Sequence, residues 1–131
     1  MLYRICLLSS DSGEDGSHLY QDPDLVGHLY VAPYAVLEPD MCFVLTHLYQ
    51  PCGYVVSTKD SKTFYQRCEE DWFPVLRQRY PYPAESDLSS NAQVIRELHQ
   101  DYRGSERPDY PAHLHIDFLP VARGKGWGRK M

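Results

Sequence analysis

His113-Leu114-His115-Ile116-Asp117-Phe118 runs into Leu119-Pro120-Val121-Ala122-Arg123-Gly124-Lys125-Gly126-Trp127-Gly128, late in a sequence of 131 residues. The first six residues alternate polar and apolar without a break, the period-two signature of a β-strand. Leu114, Ile116 and Phe118 share one face of it, and His113, His115 and Asp117 share the other. Pro120 stops the strand, and Gly124, Gly126 and Gly128 then precede the start of a helix. A strand, a glycine-rich turn and a helix start together form an anion site. Glycines let several main-chain N–H groups approach one point without a Cβ in the way. The first N–H groups of a helix have no internal partner, and its dipole favours a negative charge there. Arg123 and Lys125 add full positive charges, so a pyrophosphate suits the site. The spacing fits neither the Gly-x-x-x-x-Gly-Lys-Ser/Thr loop nor an early Gly-x-Gly-x-x-Gly. Taken alone, a glycine-rich turn is also what many helices use merely as a cap.

The rest of the sequence sets bounds on this reading. A chain of 131 residues has room for one core, and 43% hydrophobic with 24% charged residues is ordinary globular usage. The net charge of −5 argues against a general nucleic-acid binder, which needs a basic surface. Arg123, Lys125, Arg129 and Lys130 nevertheless form an acid-free basic end where an anion would dock. Cys6, Cys42, Cys52 and Cys68 make no Cys-x-x-Cys pair, so reduced thiols are expected rather than zinc or a redox dithiol. With no run of the roughly 18 apolar residues needed to span a membrane, and no basic leader, the expectation is a soluble cytoplasmic protein.

Upstream, helices and strands alternate. Leu2, Ile5 and Cys6 place one helix over Leu2 to Leu8. Asp22 and Pro23 start a second, which carries Leu25, His28 and Leu29 and is expected to end at Pro33. Residues 41–46 and 53–58 read as strands joined through Tyr49-Gln50-Pro51-Cys52-Gly53 into an antiparallel hairpin, with 113–118 beside the second strand. Asp60 or Ser61 caps a helix running to about Glu70, Trp72-Phe73-Pro74 interrupts it, and one or two further turns follow to Arg79. A helix over about 91–100 and a polar loop over 101–111 complete the pass.

Arg123-Gly124-Lys125-Gly126-Trp127-Gly128 matches Arg/Gln-x-x-Gly-x-Gly/Ala, the acetyl-coenzyme A pyrophosphate motif of the GNAT N-acetyltransferase superfamily. Asp24-Leu25-Val26-Gly27, Asp40-Met41-Cys42-Phe43-Val44-Leu45, Cys52-Gly53-Tyr54-Val55-Val56-Ser57-Thr58 and Trp72-Phe73-Pro74 resemble one branch of it. That branch is the acetyltransferase-like domain of animal O-GlcNAcases and of free-standing microbial proteins. The resemblance implies an α/β fold with a mixed sheet flanked by helices, and a single domain over residues 1–131. In such a fold a strand precedes the first helix, and a strand, a helix and two more strands follow the pyrophosphate helix. Against that pattern the chain is expected to be a partial domain, with an exposed sheet edge through which it self-associates.

By the same resemblance, main-chain groups around Leu119 and Val121 hold the pantetheine arm of acetyl-CoA. Arg123, Gly124, Lys125, Gly126, Trp127 and Gly128 hold its pyrophosphate. The expected reaction is direct attack of a primary amine, on a small molecule or a protein, upon the thioester. His115, with Asp117 two positions along the same face, is the candidate base and orienter. Polar residues commonly alternate outward on a half-buried strand, so a solvated strand face competes with this assignment, and His113 is expected at the surface. A noncatalytic CoA-binding relic of the same fold is the alternative function. His113-Leu114-His115-Ile116-Asp117 also has the look of a metallohydrolase ligand run, but the expected following His is Phe118, and a zinc site needs three or four convergent ligands, so no metal is expected.

Overall fold

A computed structural model describes residues 1–131. Its helices are α1 (Leu2–Leu7), α2 (Leu25–Tyr30), α3 (Ala32–Leu37), α4 (Ser61–Asp71), α5 (Phe73–Arg79), α6 (Ser90–Leu98) and α7 (Trp127–Lys130). Its strands are β1 (Cys42–His47), β2 (Gln50–Thr58) and β3 (His113–Phe118), and β2 lies in the middle. Both pairings are antiparallel, with Cys42 opposite Val56 and Val56 opposite His115. The sheet is thus α/β in context but antiparallel throughout, where the resemblance implies a mixture. None of the helices is long and apolar enough to cross a membrane.

Local chemistry explains most element boundaries. The Asp60 carboxylate accepts the Thr63 N–H at 3.1 Å to cap α4, and the Ser89 hydroxyl accepts the Ala92 N–H at 3.1 Å to cap α6. Trp72 ends α4 and begins α5, with Pro74 in the first turn, where its missing N–H costs nothing. The same rule corrects the reading of Pro33: it sits in the first turn of α3 and starts a helix instead of ending one. The hairpin is also tighter than expected. Its turn is Leu48-Tyr49, both left-handed at φ 48° and 62°, so Gln50 and Pro51 already belong to β2.

The sheet has two unlike faces. Tyr54, Val56 and Thr58 of β2 are buried beneath the helices, together with Ile5, Val26, Leu29, Tyr34, Phe64 and Leu98. By register, His113, His115 and Asp117 lie on this covered face. Phe43, Leu114 and Ile116 lie on the other, at 53%, 57% and 38% exposure. The polar side of β3 is thus the one that faces the helices, with His113 and Asp117 half-buried and His115 still exposed, while Leu114 and Ile116 lie on the open face. The outer edges of β1 and β3 carry no further strand.

Two contacts fix the helical layer. Arg77 of α5 donates in a fork to Glu69 of α4 at 2.7 and 2.9 Å, and to the carbonyls of Leu98 and Gln100 at the end of α6. The Glu69 side chain is only 7% exposed. Arg77→Met is expected to lower stability by about 3 kcal/mol, because it strands a buried carboxylate, whereas Arg77→Met with Glu69→Met recovers much of the loss. Urea unfolding midpoints check both. Gly27 on α2 faces the Tyr3 ring of α1, and a Cβ there would lie 2.3 Å from its Cδ1. The Tyr3 ring is pinned by its hydroxyl, 2.8 Å from His28 Nδ1. Gly27→Ala, which intrinsic helix propensity alone would favour by up to about 1 kcal/mol, is expected to destabilise by roughly 1–2 kcal/mol in the same measurement.

Candidate functional site

β3 and the turn after it carry two adjoining regions. At the turn, Leu119 closes the sheet by donating its N–H to the Cys52 carbonyl at 2.8 Å, and its own carbonyl accepts the Ala122 N–H at 2.9 Å. The main chain of Leu119 is committed to the fold, while Val121 is exposed on the one-turn 3-10 helix Pro120–Ala122. Beyond it, Gly124 and Gly126 adopt φ of +71° and +73°, the left-handed conformation that a side chain resists. The N–H groups of Gly124, Lys125, Gly126, Trp127 and Gly128 donate to no carbonyl or side chain of the protein. Five successive unpartnered donors on one exposed turn are what an anion requires.

The two cations of the motif behave differently. Arg123 is spent on the protein: it donates to the carbonyls of Phe118 (2.9 Å) and Gly13 and pairs with Glu14 at 3.0 Å. It straps the turn to the loop after α1 and presents no free charge. Lys125 and Arg129 are exposed and make no ion pair, and the Lys130 ammonium lies 4.8 Å from the Trp127 ring centroid. A groove of about 210 Å³ opens beside the turn between Leu45, Cys52, Val121 and Trp127, with Lys125 at its rim. These residues fit a pyrophosphate with an apolar arm, and of the two cations expected there only Lys125 is free of partners in the protein.

The second region is the covered face of β3. His113, expected at the surface, is half-buried with both ring nitrogens engaged: Nε2 is 2.6 Å from the Tyr34 hydroxyl and Nδ1 is 2.6 Å from the Ser61 hydroxyl. A neutral imidazole donates through one nitrogen and accepts through the other, so one hydroxyl donates to it and the other accepts from it. Tyr65 stacks on the ring at 5.1 Å between centroids. Burial, and then the neighbouring His115, lower the His113 pKa, which keeps it neutral.

His115 lies one step along, edge to face with Tyr34 at 5.5 Å between centroids. Its side chain is partly open to solvent, and it lines two cavities. One, of about 190 Å³, is walled by Tyr30, Tyr34, Tyr65 and Tyr102. The other, of about 260 Å³, is polar, with Ser9, Ser10 and Asp117. This partial burial lowers the His115 pKa, and the Asp117 carboxylate partly opposes the shift. No hydrogen bond joins the two. Asp117 accepts instead from the Tyr54 hydroxyl at 2.5 Å, and burial first, then Cys6 and Asp117, push that hydroxyl far above the usual phenol range. The Asp117 assignment as orienter of His115 is thus realised only as a nearby charge.

No group of three or more His, Cys, Asp or Glu converges as a metal site would require. All four cysteines are free, and burial pushes the thiols of Cys6 and Cys68 up to about 12, which leaves them unreactive at neutral pH. Sequence reasoning missed Tyr34 and Ser61, which hold His113, and Tyr30 and Glu97, which wall the first cavity. Their only local signal is membership of helices, and the contacts joining them to β3 cross most of the chain.

No family model matches the chain. Protein O-GlcNAcase of Rattus norvegicus and that of Mus musculus are each 31% identical to it over 101 residues, or 76% of this chain and 11% of theirs. The crystal structure of SsHAT matches with a TM-score of 0.85 and 37% identity, over 98% of this chain and 65% of that one. The chain therefore spans a small part of the curated relatives and just under two-thirds of the solved one. With the donor-rich turn and the sheet order, these matches lead to one conclusion: the chain has a GNAT-like acetyltransferase fold and is homologous to the acetyltransferase-like region of O-GlcNAcase.

Proposed function

We propose that the chain transfers an acetyl group from acetyl-CoA to a primary amine, with the pyrophosphate held at residues 123–128 and His115 as the base. The observation that carries this reading is the run of five unpartnered N–H donors from Gly124 to Gly128, at the end of the strand that points His115 into two cavities. The net charge of −5 favours an amine over an acidic acceptor and disfavours nucleic acid.

Acetyl-CoA, when bound, supplies an acyl carbon already activated as a thioester. The chain's own residues do the rest. The turn at 124–128 and Lys125 fix the phosphate end, and the groove beside Val121 and Trp127 directs the arm. His115 takes the proton that the amine loses as its lone pair bonds the acyl carbon and the C–S bond breaks. That proton then returns to the departing sulfur. A lowered pKa suits this role, because the imidazole is neutral and able to accept at neutral pH. Retention of CoA binding without turnover is the second reading. It is favoured by the absence of any hydrogen bond orienting His115.

Calorimetric titration of acetyl-CoA, with ADP as competitor, tests the binding half. Wild type is expected to bind and ADP to compete. Lys125→Ala should weaken binding and flatten its salt dependence. Gly126→Val, which strains φ +73° and covers the donors, should cost at least about tenfold. Equal heats for all three proteins would sink the site.

The pH profile tests the chemical half. A base whose pKa lies below an imidazole's usual 6.5 gives a rate that rises with pH in the acid range and is level by neutrality. His115→Gln should remove that limb and most of the rate. Binding with no acetyl product at any pH would decide for the relic.

A further inference from the structure

Nothing in the fold explains the tip of the β1–β2 hairpin. Leu48 and Tyr49 hold φ of 48° and 62°, the left-handed region that bulky side chains resist. Asn-Gly would make the same two-residue turn without strain. Packing does not offset the strain either, since Leu48 is 79% exposed and Tyr49 97%. Strain held at an exposed apolar pair points away from folding and toward contact with something outside the chain.

The surroundings of the tip indicate its chemistry. On one side, the start of β2 meets the start of α1 at a hollow lined by Gln50, Pro51 and Arg4. On the other, the end of β1 faces the glycine turn across the groove that holds Lys125 and Trp127, and the Lys130 ammonium lies by the Trp127 ring. Arg4, Lys125 and Lys130 are exposed and belong to none of the ion pairs of the fold. No carboxylate lines either hollow. All 18 acidic residues fall within 11–40 and 60–117, whereas this end is built from 1–10, 41–58 and 118–131. A chain of net charge −5 is thus basic and apolar at one end. Apolar side chains projecting beyond a set of free cations fit a phase that is apolar inside and anionic at its surface. Tyrosine and tryptophan, each with an apolar ring and a polar edge, suit the boundary of such a phase.

We infer that this end of the molecule docks on an anionic lipid surface, with Leu48 and Tyr49 entering the headgroup layer and Arg4, Lys125 and Lys130 facing the lipid phosphates. The docking is peripheral and reversible, because two side chains anchor weakly by themselves and each cation adds only a modest increment. An acidic protein would answer the same charges but needs a hollow shaped to the tip. A nucleic acid would answer the charges and leave the tip without a role. The inference stands apart from acetyl transfer and does not depend on it.

Cosedimentation with vesicles of phosphatidylcholine alone, and of phosphatidylcholine with about one-third phosphatidylserine, is the test. At low salt the wild type should partition onto the anionic vesicles at least about tenfold more than onto the neutral ones, and high salt should shrink the difference. Leu48→Asn combined with Tyr49→Gly removes the apolar pair and relieves the turn at once. That variant should keep its urea midpoint at or above wild type while partitioning falls about tenfold, so loss of binding is not loss of fold. Arg4→Ala should cost about fivefold on the anionic vesicles and nothing on the neutral ones. Equal partitioning of wild type onto the two vesicles, or onto neither, would overturn the inference. Full binding by the folded double variant would overturn it too, leaving a bare effect of charge. Capture of the chain by a random glutamate–tyrosine copolymer with no vesicle binding would overturn it in favour of an acidic protein partner. None of these readouts involves acetyl-CoA, so failure here leaves the transfer reading where it stands.

Discussion

The covered face of β3 is polar, and everything around it is arranged to make that tolerable. An imidazole buried without partners costs several kcal/mol, as any unpaired polar group does. The fold meets this cost with hydroxyls: Tyr34 from α3 and Ser61 from α4 hold the two nitrogens of His113, and Tyr54 from β2 holds Asp117. Those contacts fix how α3 and α4 sit over the sheet. They also leave His115, the residue between, with no hydrogen bond to the protein and with open space before it. A strand with aliphatic residues turned inward would pack more easily, but it would present no imidazole to a cavity.

The glycine turn shows a similar division of labour. Its charged residues split between Arg123, which holds the turn, and Lys125, which is left free. Arg123 reaches across the fold to Gly13 and Glu14, so the turn is anchored by a side chain and its backbone donors remain unspent. The sheet is closed just upstream by the Leu119 N–H. Rigidity thus comes from groups that face the protein, and the unpartnered donors are those that face away.

Much of this was legible from the residues in order. Alternation at 113–118, the cap at Asp60, and the hairpin of β1 and β2 rest on near neighbours, and period or spacing exposes them. What escaped was non-local or two-valued. Alternation says which residues of β3 share a face but not which face is covered. That is decided by Tyr34 and Ser61, 79 and 52 residues away from His113. Proline is a stop at one helix position and a start at another, and Pro33 proved to be the start of α3. Spacing placed Lys125 and Arg123 together, but only the contact 110 residues away between Arg123 and Gly13 shows which one is engaged. The aromatic cavity has no compact motif, because its walls come from five separate stretches of chain.

The two tryptophans fall on opposite sides of this division. Trp72 sits at the junction of α4 and α5 with its indole N–H on the His28 carbonyl at 2.8 Å, inside the helical layer. Trp127 opens α7 on the glycine turn, half exposed, beside the Lys130 ammonium. Indole emission depends on polarity and on nearby charge, so each reports a different event. The emission of Trp72 follows the integrity of the helix layer, and that of Trp127 follows the charge placed at the turn. The molecule therefore carries two built-in optical probes, one for folding and one for the charge around the glycine turn, that a single-tryptophan variant of either kind would separate.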